Sequence, residues 1–164
     1  MLDVSLKVIR HSWDCDVTVL IEHIRDLIAQ ASPTIAIVGA ATGWRLGIGR
    51  ITDDPDTQIV IWDAPGEHPW PHVLLDYPYF QVMVRGAPDG YHDARQKAQD
   101  VYDELVGIYP ITFSSGDRLD AITVVGTVGS VGFDQRNRPL ISANYRSIYE
   151  PAPSTYTHRT PLNT

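Results

Sequence analysis

The stretch FDQRNRPLISANYRSIYE, residues 133–150, decides how this chain folds. It opens on a charged turn containing Asn137 and Pro139, then runs into a long strand-like segment. The run before it, RLDAITVVG (118–126), supplies a partner joined through FDQRN. Two β-prone runs separated by turn residues predict an antiparallel pair. The second strand carries Asn144, Arg146 and Tyr149, more polar groups than a core strand holds comfortably. Such a strand suits a contact surface.

Farther out, YFQVMVRG (79–86) alternates Phe80, Val82 and Val84 against Tyr79, Gln81 and Met83, the pattern of a strand with one buried face. WRLGIGRI (44–51) and TQIVIWD (57–63) flank DDPD and predict a β-hairpin that projects from the sheet. APGEHPWPHVLLDYP (64–78) holds four prolines and is expected to be mostly loop. Gly126, Gly129 and Gly132 in GTVGSVG mark a bulged or irregular segment.

Two helices are predicted. In VTVLIEHIRDLIAQA (17–31), Val17, Leu20, Ile21, Ile24, Leu27, Ile28 and Ala31 form one face opposite Glu22, Arg25 and Asp26. Asp16 is placed to cap its start, and Ser32-Pro33 to stop it. In the second, Asp89 is the expected cap, Tyr91, Ala94, Ala98, Val101, Tyr102 and Leu105 the apolar face, and Asp93 with Lys97 an i,i+4 pair; Gly107 ends it. LDVSLKVI (2–9) fits a strand or a helix and stays unassigned.

The expected fold is therefore α+β: a mainly antiparallel sheet with a projecting β-hairpin and two packed helices. Residues 1–151 make a single domain, with 1–16 as an N-terminal arm of unassigned structure. Residues 152–164, rich in proline and poor in apolar side chains, make a flexible C-terminal tail. A chain of 164 residues buries roughly 68–70% of its unfolded surface, enough for a core without staples.

Thirteen Lys and Arg against twenty Asp and Glu give a net charge of −7, which speaks against a nucleic-acid binder. A single cysteine, Cys15, allows no internal disulfide and fits a reducing cytosol. The N-terminus has scattered charges in place of a signal peptide's apolar run, and no apolar stretch is long enough to span a membrane.

Catalytic and metal motifs fare poorly. His68 and His72 in HPWPH are held apart by rigid prolines. His11, Asp14, Cys15 and Asp16 form a second possible ligand cluster, but Asp16 is better explained as a cap. GIG (47–49) precedes a turn, whereas a dinucleotide site needs a helix there. SSGD (114–117) lacks the glycines of a nucleophile elbow, and no His/Asp pairing can be read around it. Asp53/Asp54 and Asp103/Glu104 fall in a turn and on a solvated helix face. No cofactor, metal or enzyme activity is expected. Trp62, Trp70, Tyr77 and Tyr79 cluster around the proline-rich segment, and such aromatics are enriched in interfaces.

From about residue 42 to 151 the ordered set of segments resembles the tail terminator proteins of long-tailed bacteriophages. GIGRITDDPDTQIVIWDAPGEHP is similar to that family's strand, Gly-Arg, Pro-containing turn, strand and Gly-containing loop. PYFQVMVRGAPDGYHDARQKAQDVYDELVG resembles its strand ending in Val-Arg and the helix after it. GDRLDAITVVGTVGSVGFDQRNRPLISANYRSIYEP resembles its closing strand pair.

The resemblance implies a ring, typically a hexamer, stacked on the tail tube at the neck of the virion and assembled in the host cytoplasm. Its implied partners are other copies of itself, the tail tube protein and a head-completion or connector protein. Genomic DNA would pass through the lumen without specific binding. Another neck component and a small enzyme remain as alternatives. The candidate contact residues are Asp53, Asp54 and Asp56 in one turn, Arg136 and Arg138 in another, the four aromatics, and Asn144 and Arg146. The two oppositely charged turns are expected to meet between neighbouring subunits.

Overall fold

The computed structural model of the chain describes residues 20–31, 37–38, 43–70 and 75–152. Helix α1 (Leu20–Ala31) precedes β1 (Ile37–Val38), β2 (Arg45–Ile48), β3 (Gln58–Trp70) and β4 (Leu75–Arg85). Helix α2 (Tyr91–Val106) is followed by β5 (Ile111–Thr112), β6 (Arg118–Phe133) and β7 (Pro139–Glu150). The strands form one sheet in the order β1-β2-β3-β4-β7-β6-β5. Only β1–β2 and β2–β3 run parallel; the rest is antiparallel, as an α+β fold requires.

Alternation along the central strands separates the two faces. Ile141, Ala143, Tyr145, Ser147 and Tyr149 of β7 are buried, and Asn144 between them is exposed. Register sets Val84, Val82 and Phe80 of β4 opposite Ile141, Ala143 and Tyr145, and Ile59 and Ile61 of β3 opposite Val84 and Val82. Both helices cover this face: Ile24 and Ile28 of α1 and Ala94, Ala98, Val101 and Leu105 of α2 join the same core. Phe80 and Tyr145 stack at its centre, 5.0 Å apart. Among the described residues no helix covers the other face.

DDPD does not close a hairpin. β2 lies parallel to β3, from Arg45 opposite Gln58 to Ile48 opposite Ile61. The connection must therefore travel back along the strand instead of turning over once. Gln58 holds it there: its Nε2 donates to the carbonyls of Thr52 at 2.7 Å and Pro55 at 2.6 Å, and its Oε1 accepts from the Thr52 N–H at 3.0 Å. The projecting hairpin lies one strand later. β3 and β4 continue as a pair out to Trp70 opposite Leu75, so most of 64–78 is strand where loop was expected. Register shifts on either side of Glu67 accommodate residues that lack a donor. Gly66 is required there, since a Cβ would stand 2.5 Å from the Tyr77 carbonyl oxygen.

β6 runs on to Phe133, with shifts between Val125 and Gly129 and between Ser130 and Gly132, as the glycine spacing predicts. Asp89 does not cap α2. Its φ is +60°, Gly90 occupies the cap position, and the Asp89 carboxylate accepts from the Asn137 amide at 2.6 Å. Lys97, expected beside Asp93, lies 3.6 Å from Asp100 and over the Trp44 ring. Ala152, read as the first residue of the tail, is buried. The readings of the 2–9 arm, Asp16, Ser32-Pro33, the His11–Asp16 cluster, His72 and the tail from 153 onward lie outside the described residues.

Candidate contact surface

The oppositely charged turns meet within one chain. Because the connection after β2 returns in parallel, its acidic residues fold over the start of β7. There the Arg138 Nε donates to Asp134 at 2.7 Å, and its Nη1 donates to the Asp56 carboxylate at 2.9 Å and the Asp53 carbonyl at 2.8 Å. The Arg138 side chain is 4% exposed, so it is buried in a clamp where a projecting contact was expected. Arg136 stays exposed, 3.6 Å from Asp53. Buried Arg85 donates to the carbonyls of Asp56, Pro55 and Asp53. Asp54 is exposed.

The clamp shifts its own titrations. Burial lowers the pKa of Arg85, helped by the neighbouring Arg138 guanidinium, while Asp134, Asp56 and Asp53 pull the other way. Burial opposes the charge on Asp134, yet the Arg138 and Arg136 backbone N–H groups and the Arg138 guanidinium hold its carboxyl below the usual range. Reversing charge at Asp53 and Asp54 leaves Asp56, Asp134 and the carbonyl acceptors in place. The expected loss is about 1 kcal/mol or less, typical of exposed pairs. A urea melt of Asp53→Lys/Asp54→Lys checks this.

Beyond Gln58 and Arg85, which the acidic loop covers, the helix-free sheet face gathers most of the remaining candidates. Trp62, Gln81, Asn144 and Val125 form one row across β3, β4, β7 and β6. Tyr79 and Arg146 lie in the next row, and Glu67 joins them by accepting from the Tyr79 hydroxyl at 2.8 Å and Arg146 Nη2 at 3.1 Å. The hydrogen bond from Tyr79 holds the Glu67 carboxyl low and raises the Tyr79 phenol in return. The Arg146 guanidinium lies 4.8 Å from the Tyr77 ring centre. Trp70, 59% exposed near the end of the hairpin, completes an open recess of about 290 Å³ with Glu67, His68, Tyr77 and Arg146. Amphipathic aromatics beside a partly solvated ion pair suit a protein contact.

One polar cluster escaped the sequence reading. Fully buried Asp117 accepts from the Ser115 hydroxyl at 2.6 Å and the Ala152 N–H at 2.8 Å, and His23 Nε2 lies 3.2 Å from it. His23 stacks on Phe113 with ring centres 3.8 Å apart. The Ser115 hydroxyl gives its proton to the Asp117 carboxylate and not to the His23 imidazole. The cluster ties α1, the β5–β6 turn and the end of β7 together. The available signal was a histidine among Leu20, Ile24 and Leu27 on the apolar face of α1.

Among the described residues no group of His, Cys, Asp and Glu is placed to hold a metal ion, and no helix is long and apolar enough to cross a membrane. The family model for bacteriophage tail terminator proteins matches residues 28–151. The chain therefore belongs to the bacteriophage tail terminator family, a structural component of the phage tail and hence of the virion. No curated protein matches it.

Proposed function

We propose that copies of this chain form a closed ring, a hexamer, that caps the tail tube, ends its polymerisation and presents the surface on which the head is joined. The family match carries this reading, since it spans every strand and the whole of α2. The open part of the helix-free sheet face and the projecting β3–β4 hairpin support it, because a ring subunit stacked on a tube needs contacts around the ring and along its axis. The partners are neighbouring copies, the tail tube protein and a head-completion or connector protein of the neck. A net charge of −7 suits a lumen through which DNA slides without sticking. Assembly proceeds in the host cytoplasm, with neither cofactor nor catalysis.

Each ring contact is expected to bury upwards of about 1,000 Å². Phage lacking the chain should make tails of uncontrolled length that do not join heads, and electron microscopy of intact necks should resolve a ring of copies at the tube end. Normal joined tails in its absence, or a lone copy on the tail axis, would sink the reading.

A further inference from the structure

We propose that the edge of β6 left open among the described residues is the seam of the ring, adding strand-to-strand in a second copy to the stretch of β3 past Ile61, which no described strand pairs on its β2 side. This rests on the ring reading above. β5 reaches only Arg118 and Leu119 of β6. Beyond them, among the described residues, β6 has a strand neighbour on the β7 side alone. An open edge is a template for another strand, and monomeric proteins blunt theirs with lysine, proline or inward charges. AITVVGTVGSVGF (121–133) contains no charged residue and no proline. It also exposes Val125 (42%), Val131 (58%) and Phe133 (54%), with the Tyr91 ring beside Phe133.

The opposite side of the sheet offers the complement. β2 ends at Ile48 opposite Ile61, and the Ile61 carbonyl accepts from the Gly49 N–H. Alternation turns the N–H and C=O of Asp63 to that same outer side, past the last residue of β2. Pro65 and Pro69 confine any added ladder to Trp62–Ala64 and keep it from running into the hairpin tip. Trp62 and Trp70 supply apolar surface to meet Val125, Val131 and Phe133. The two edges are unlike, so their pairing is head-to-tail, and a head-to-tail contact that closes generates a ring. Pairing β6 with another β6 would instead stop at a two-fold dimer.

The test uses the full chain, followed by sedimentation and amide hydrogen exchange across a concentration series. Protection at 121–133 and at 62–64 should rise together with protein concentration. Val131→Lys should raise the concentration for half-assembly about tenfold or more by charging the edge. Val131→Thr, which keeps the branched shape without charge, should stay within about twofold of the parent. Both variants should melt with the parent. The proposal is overturned by β6 protection independent of concentration, meaning the chain covers its own edge, or by protection of β6 without 62–64. Equal assembly of all three proteins, or no association up to about 1 mM, overturns it as well. A ring on intact tails with its seam elsewhere removes this inference and leaves the ring; a lone copy removes the ring itself.

Discussion

Replacing Arg138 with methionine should destabilise the domain by about 2–3 kcal/mol, since the buried guanidinium is lost while its carboxylate partners keep access to solvent. At this chain length that corresponds to roughly 4–12 °C in Tm. Methionine fills the aliphatic volume but leaves Asp134, Asp56 and the Asp53 carbonyl without the donor they surround. Asp134 retains two backbone N–H donors, so most of the loss should fall on the acidic loop. Adding Asp56→Asn and Asp134→Asn should recover part of the stability, because it removes the charges left without a partner. Urea midpoints of the single and triple variants check both statements. A single-variant loss below about 1 kcal/mol would show the pair to be effectively solvated.

Asp117→Ala is the second large effect, expected at about 3 kcal/mol because it strands a buried N–H and an imidazole at once. The same carboxylate makes stability depend on acid. Burial opposes its charge, but the Ala152 N–H, the Ser115 hydroxyl and His23 together hold its pKa below the ordinary carboxylate value. A carboxyl depressed on folding contributes stability above its unfolded pKa and loses it as pH falls through the folded one. The parent should therefore lose this contribution below about pH 4. Asp117→Asn, which cannot ionise, should differ most from the parent at pH 7 and progressively less towards pH 3. Parallel Tm curves for the two proteins across that range would show that the Asp117 charge contributes nothing.

Parts of this fold were legible because they obey a period. Phe80, Val82 and Val84 declare a strand with one buried face, and Ala94, Ala98, Val101 and Leu105 declare a helix stripe, without help from anything distant. Asn144 and Arg146 were legible as surface residues for the same reason: each sits between buried neighbours on β7. The direction of β2 was not legible. DDPD reports that the chain bends, and a bend is common to hairpins and to loops that return in parallel. Arg138 was misread because an arginine beside a turn is ordinarily solvated, and its acceptors come from a loop 82 to 85 positions away as well as from Asp134. His23 and Asp117, 94 positions apart, had no local pattern to join them. The prolines at 65, 69 and 78 argued for loop because bulges that excuse a missing donor leave no separate mark in sequence.

The clamp over the acidic loop also sets an order of events during synthesis. Gln58 is made within six residues of Thr52, so the loop has its first tether almost as soon as it leaves the ribosome. Arg85 follows 29 to 32 positions after its carbonyl acceptors. Arg138 comes last, 85 positions after Asp53, when α2 and β6 have already emerged. The loop therefore waits, acidic and incompletely held, while about half of the chain is made. It is locked only when the chain reaches β7, the strand that also completes the sheet.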